Sequence, residues 1–233
     1  MSSVLIDHHN RLGDHVMCNG IVREYCKTYD RVGLFTIPKF EPFVRFMFRD
    51  LPNLEVIPLP THRDKTLYRM RNFFTLGRKR YDRIQKIWDV DFETGIPSEY
   101  QFYKIAGIPY EKKWDSFYVQ RDSERERTLE EKAKLPERYV FIHDDGRYPI
   151  DDSHIASLLP KFRVGPGLTD NLFDYSGIIE HASEVHVIDS SFMFLIDCLP
   201  YEAPHQKLFV HRYARPNAPW NLPILKKSWT ILS

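Results

Sequence analysis

Short apolar runs alternate with amphipathic stretches along this 233-residue chain, and that alternation limits its fold more than any other feature. The runs fall at Val4–Ile6, Val32–Ile37, Leu54–Leu59, Lys86–Val90, Tyr139–His143, Phe162–Val164, Val185–Asp189 and Leu208–His211. Several are continuous apolar segments of four to six residues, as expected of strands covered on both faces. Between them, Met17, Ile21, Val22, Tyr25 and Cys26 form one apolar stripe at helical spacing. Phe43, Val44, Met47 and Phe48 form another, with Pro42 suited to a first helical turn. Thr128–Leu135, Tyr175–Ala182 and Phe192–Leu199 continue the series, the last ending at Pro200. Strand–helix–strand alternation of this kind predicts parallel α/β sheets.

Residues 110–138 interrupt the rhythm with a run dominated by charge and no strong apolar strand. The expected architecture is therefore two Rossmann-like halves with parallel sheets, residues 1–120 and 121–233, and a cleft between them. The charged segment would supply a linker and a solvated helix.

Composition narrows the function classes. A net charge of +1 creates no global field for nucleic acid or a membrane surface. The three cysteines, Cys18, Cys26 and Cys198, have no metal-binding spacing and read as apolar residues of a reducing compartment. No stretch reaches the roughly 18–20 apolar residues needed to span a bilayer. The N-terminus lacks the basic start and long apolar segment of a signal peptide. The expectation is a cytoplasmic protein without a transmembrane segment. GxGxxG, GxxxxGK[ST] and GxSxG are all missing, which disfavours common dinucleotide, ATP and hydrolase sites.

In parallel α/β units ligands bind beyond the carboxyl ends of the strands, and three such loops here are unusually polar. The first, DHHNRLGDHVMCNG (residues 7–20), puts Gly13-Asp14 where a strand has ended and a helix begins. Taken locally, Asp14 reads first as a helix N-cap, with a general base as the functional alternative. His8, His9, Arg11 and His15 beside it could bind an anion or share its proton. The second loop, VIDSSFMFLIDCLP (187–200), offers Ser190 and Ser191 with a helix N-terminus, a natural phosphate cradle and also an ordinary cap. The third, FIHDDGRYPIDD (141–152), gathers His143, Asp144 and Arg147. Its four aspartates fit a solvated acidic loop better than a metal site.

Weaker signals remain. Asp89 and Asp91 have the D-x-D spacing of a metal-bound nucleotide diphosphate, a pattern that chance produces often. Residues 62–83 are rich in Lys, Arg and aromatics, and suit a basic helix face or a contact for phosphorylated partners. HRYAR (211–215) brings Arg212 and Arg215 to the end of the last apolar run, where a diphosphate could use them.

With those loops in view, RLGDHVMCNGIVRE resembles the Gly-Asp turn that opens the acceptor domain of heptosyltransferase-like, GT-B-fold glycosyltransferases. FDYSGIIEHASEVHVIDSSFMFLIDCLP is similar to their nucleotide-sugar domain, and LFVHRYAR completes the ordered set of loops. The pattern looks most like compact transferases of large viruses and microbes that build surface glycans, some of them single domains of longer proteins. The chain is shorter than typical members, so helices or a sheet edge must be trimmed. The lysine that often neutralises the donor phosphates has no clear counterpart, and Arg147, Arg212 or Arg215 would replace it.

The resemblance implies an inverting hexosyltransferase, working in the cytoplasm of a host if the source is viral. Its partners would be a nucleotide diphosphate-sugar, UDP-L-rhamnose being one candidate, and a glycan hydroxyl. Asp14 maps onto the aspartate implicated as base. His143, Asp144, Arg147, Ser190, Ser191, Arg212 and Arg215 would hold the donor, and no cofactor or metal is called for. Two rival readings stay open: a metal-dependent GT-A-type transferase using Asp89 and Asp91, and a non-catalytic nucleotide- or glycan-binding module using residues 62–83.

Overall fold

The computed structural model describes residues 1–59, 80–216 and 221–233. It separates into two compact units, Met1–Gln120 with Trp220–Ile224, and Arg121–Pro219 with Leu225–Ser233.

The first unit is built on a four-stranded parallel sheet. Its strands are β1 (Ser3–Asp7), β2 (Arg31–Thr36), β3 (Leu54–Pro58) and β4 (Arg83–Lys86), in the order β3-β2-β1-β4. The continuous run Val4-Leu5-Ile6 lies in the central strand, where all three side chains are buried. The helices described are α1 (Leu12–Met17), α2 (Asn19–Thr28), α3 (Glu41–Met47), α4 (Ser98–Ala106) and α5 (Lys112–Asp115). Pro42 stands in the first turn of α3, as its missing N–H and fixed φ allow. Gly107 ends α4 at φ 70°, a left-handed C-cap.

The second unit carries a five-stranded parallel sheet. Its strands are β5 (Val140–His143), β6 (Lys161–Arg163), β7 (Glu184–Val187), β8 (Lys207–His211) and β9 (Trp229–Leu232), ordered β6-β5-β7-β8-β9. Its helices are α6 (Ser123–Ala133), α7 (Ser176–His181) and α8 (Ser191–Cys198). Asp122 caps α6 by accepting the Arg125 N–H at 3.1 Å. The connection from β5 to β6 contains only a 3-10 turn at Asp152–His154. Ile150 and Ile155 from that connection pack on Val140 and Ile142.

The parallel α/β class expected from the sequence is the one observed. The differences lie at sheet edges and in the charged middle. β4 begins and ends earlier than the run at Lys86–Val90 suggested, because the ladder closes where the Ile87 N–H meets the Asp7 carbonyl at 2.9 Å. As an edge strand its sequence, RIQK, holds a single apolar residue rather than an apolar run. Asp89 and Asp91 therefore lie beyond the strand rather than at its end. β9 is also an edge strand, half exposed, and lacks a continuous buried run. In the charged segment α5 hides Lys113 completely, its Nζ donating to the Ile224 carbonyl at 2.7 Å and facing the Trp114 ring at 4.7 Å. That segment is thus not wholly solvated. Of the basic stretch 62–83, residues 62–79 lie outside the described residues. No described helix is long and apolar enough to cross a membrane.

One glycine carries the packing of α2 on α5. A Cβ at Gly20 would lie 2.1 Å from the Lys112 carbonyl oxygen and 2.7 Å from Tyr103 Oη. Gly20→Ala is expected to destabilise the protein by about 3 kcal/mol or more, since main chain has to move. At Gly177 the nearest atom to an added Cβ is a Glu130 carboxylate oxygen, 2.6 Å away on a flexible side chain. Thermal unfolding should therefore show a larger loss for Gly20→Ala than for Gly177→Ala, and equal losses would refute the steric account.

Candidate functional site

Strand order locates the places where a ligand can sit. In the first sheet β1 lies between β2 and β4, so successive crossovers leave it in opposite directions. In the second sheet β5 lies between β6 and β7 in the same way. Loops diverge at such switch points and open a crevice beyond the carboxyl ends of the strands. The turn after β1 and the turns after β5 and β7 are the three polar stretches that the sequence marks.

In the first unit the turn begins at Asp7. Its carboxylate accepts Trp88 Nε1–H at 3.0 Å and lies 3.4 Å from Asn10 Nδ2. Asn10 takes φ 64°, a left-handed conformation that asparagine tolerates better than most residues, and its N–H meets His8 Nδ1 at 2.8 Å. Arg11 is the N-cap of α1 and is exposed. Asp14 is therefore the third residue of the helix and not its cap, and Gly13 lies inside the first turn. The Asp14 carboxylate reaches back, with Oδ2 accepting the Arg11 N–H at 3.1 Å. Its other oxygen, Oδ1, faces His9 Nδ1 at 3.9 Å. His9 Nε2 lies 2.9 Å from the Trp88 carbonyl, and the ring stacks on Phe92 and meets Phe102 edge-on.

His15 differs from the reading of an anion-binding group. It is fully buried, neither ring nitrogen has a hydrogen-bond partner among the described residues, and burial pushes its pKa down to about 3. A neutral imidazole without access to solvent offers an anion no charge.

In the second unit the turns after β5, β7 and β8 converge. His143 ends β5 with its ring stacked on Phe192 at 3.9 Å, and its Nδ1 lies 3.3 Å from Ser190 Oγ. Burial lowers its pKa to about 4, so it stays neutral near pH 7. Ser190 is the N-cap of α8 in extended conformation, and Ser191 is the first helical residue, both half-buried. Arg212 pairs with the buried Asp189 carboxylate, and Arg215 donates to the Asp189 carbonyl. The Arg215 guanidinium lies 5.0 Å from the centre of the Tyr148 ring and that of Arg147 lies 5.7 Å from it. The structure thus brings His143, Ser190, Arg212 and Arg215 around one strand-end turn, whereas Arg147 is placed only against its neighbour Tyr148.

Asp144 points elsewhere. It accepts the Ile150 N–H at 2.8 Å and pairs with Arg163, so it braces the β5–β6 connection. Sequence reasoning missed Asp189 and Tyr148, which hold the arginines in place. Adjacency of the strands ending at VIDSS and LFVHR was the signal that could have found Asp189. It also missed a buried polar chain on β7 and β8, in which His186 Nδ1 lies 2.8 Å from His211 Nε2 and His211 Nδ1 lies 2.9 Å from Tyr213 Oη.

Asp89 and Asp91 are both exposed, and Asp91 Oδ1 is engaged by the Glu93 N–H at 2.8 Å. Among the described residues no group of three His, Cys, Asp or Glu side chains is placed to hold a metal ion.

No family model matches this sequence, and no curated protein sequence does. Solved structures do match in fold. ADP-heptose lipopolysaccharide heptosyltransferase II of E. coli superposes with a TM-score of 0.53 at 12% identity, covering 100% of this chain and 90% of its own. A glycosyl transferase family 9 structure from Veillonella parvula superposes with a TM-score of 0.56 at 8% identity, covering 99% and 86%. The fold is GT-B-like. Two separate parallel sheets are what a GT-B-like chain requires. Within the GT-B-like frame, each switch point carries its own chemistry: a carboxylate in one unit, hydroxyls and guanidinium groups in the other.

Proposed function

We propose that this chain is an inverting glycosyltransferase that moves a sugar from a nucleotide diphosphate-sugar to a glycan hydroxyl without a metal. The observation that carries this reading is the strand-end turn of the second unit. There Ser190, Ser191 and the first N–H groups of α8 follow Asp189, whose carbonyl Arg215 holds, and Arg215 also lies over the Tyr148 ring beside Arg147 in sequence. Backbone N–H groups at a helix start and planar cations are the donors that a diphosphate takes. The GT-B-like fold and the names of its neighbours support the same reading.

The donor diphosphate lies against the α8 N-terminus, with Ser190 oriented by His143. As the bond from the anomeric carbon to the diphosphate oxygen breaks, its electron pair stays on the diphosphate. Fixed donors aimed at that growing charge stabilise the transition state. Asp14 takes the proton of the acceptor hydroxyl while its oxygen attacks the anomeric carbon from the opposite face, which inverts the configuration. Arg11, exposed at the N-cap of α1, suits an anionic group on the acceptor. The enzyme works in the cytoplasm, alone or as one domain of a larger glycan-building protein.

UDP-L-rhamnose is the first donor to test, and the ADP-heptose named for the E. coli neighbour puts ADP-sugars in the same panel. Thermal shift against UDP-, GDP-, dTDP-, CMP- and ADP-sugars reads out the base, because a ligand bound by the native state stabilises it by mass action. Nucleoside diphosphate release then reads out transfer. Tight binding of one donor without any release, across a panel of glycan acceptors, would instead mark a binding module.

A further inference from the structure

We infer that His9 is a positioning residue for Asp14 and the exit route for the proton that Asp14 removes from the acceptor. The inference rests on the reading of Asp14 as base and goes beyond it, since it says where the proton goes next.

Three contacts fix the His9 ring. Its Nε2 lies 2.9 Å from the Trp88 carbonyl oxygen, Phe102 meets it edge-on at 5.3 Å, and Phe92 lies parallel to it at 6.2 Å. A carbonyl oxygen can only accept, so the proton of neutral His9 sits on Nε2. The lone pair is therefore on Nδ1, the atom that faces Asp14 Oδ1 at 3.9 Å. Two acceptor atoms face one another in the resting state, and that is what a proton acceptor beside a base requires. Catalytic contacts of this kind are often long without substrate and tighten in the reacting complex.

Burial gives the direction. The Asp14 side chain is 12% exposed, with its second oxygen bound to the Arg11 N–H, whereas the His9 side chain is 28% exposed. A proton on Asp14 Oδ1 passes to His9 Nδ1 and leaves Asp14 a carboxylate again. The imidazolium keeps its Nε2–H on Trp88 and gives the Nδ1 proton to solvent, so each turnover begins from the same state. Among the described residues, Asp14 faces Nδ1 from α1, and Arg11 is exposed in the same turn. Asp7 is engaged with Trp88 Nε1–H, and the loop and helix packed on the ring present Phe92 and Phe102.

Two measurements test this. In ¹⁵N-detected NMR of the full chain without ligand, neutral His9 should be the Nε2–H tautomer. Its Nδ1 resonance should move on Asp14→Asn while Nε2 stays. An Nδ1–H tautomer, or an Nδ1 signal blind to Asp14→Asn, overturns the inference whatever the enzyme transfers. In turnover with the donor found by the panel, His9→Ala should lower kcat at least about 10-fold with KM for the donor unchanged. Added imidazole should restore most of that loss, and it should restore nothing to Asp14→Asn. A His9→Ala enzyme within twofold of wild type, or one that imidazole does not rescue, also overturns it. A full rate in Asp14→Asn would instead remove the base assignment, and the NMR result would stand apart from that failure.

Discussion

Asp14→Asn is expected to cut sugar transfer by roughly 10²–10⁴-fold, the usual contribution of one positioned base, while donor binding stays at its wild-type strength. The substitution is chosen for its local geometry. The carboxylate is half of a reciprocal N-terminal arrangement, with Oδ2 accepting the Arg11 N–H at 3.1 Å. An asparagine carbonyl still accepts that N–H, so α1 keeps its start and thermal stability should barely change. Asp14→Ala removes both functions at once and should in addition cost about 1 kcal/mol for the lost hydrogen bond. Calorimetry with the matching nucleotide, beside nucleoside diphosphate release, separates binding from chemistry. Near wild-type turnover in the Asn variant would show that Asp14 is structural only, a helix-start carboxylate of the kind its position already explains.

Much of this fold was legible in sequence because its central strands are buried on both faces. Val4-Leu5-Ile6 and Val140-Phe141-Ile142 are fully buried, and a short apolar run bounded by polar turns fits little except a strand of a covered sheet. Edge strands lack that constraint, which is why RIQK and WTIL gave no comparable signal. Lys113 shows a second limit. In a charged run nothing local distinguishes a solvated lysine from one buried against a carbonyl 111 positions away.

The polar turns were legible as places, since strand ends before helix starts bind ligands in any parallel sheet. Their internal wiring was not. Asp14 reads as a cap from composition, and only the placement of Arg11 at the N-cap makes it the third helical residue. His9 is tied to the Trp88 carbonyl across 79 positions and Asp7 to the Trp88 indole N–H across 81, pairings that depend on β4 lying beside β1. Asp189 and Arg212 are 23 positions apart and meet because β7 and β8 are neighbours. Residue types announced a site, and strand order decided which of them share it.

Helix and strand packing also buries histidines, and the chain should therefore lose stability steeply in mild acid. Burial lowers the pKa of His15 to about 3, and those of His143 and His211 to about 4, against 6.5 for an exposed imidazole. In each case the folded value is depressed, so between roughly pH 6.5 and 4 the unfolded chain binds protons that the native state refuses. Stability is then complete above about pH 6.5 and falls as pH drops through that window. Three such groups set a limiting slope of about 4 kcal/mol per pH unit, at 1.36 kcal/mol for each proton. The loss by pH 5 would be about 6 kcal/mol, comparable to the whole stability of a typical domain. Because His15 has no hydrogen-bond partner at either ring nitrogen among the described residues, His15→Leu should cost little at pH 7.5 and can stabilise there. It should also remove about one third of the acid slope. Urea unfolding at several pH values between 7.5 and 5 checks both statements, and parallel curves for His15→Leu and wild type would show that His15 is not among the groups that titrate on unfolding.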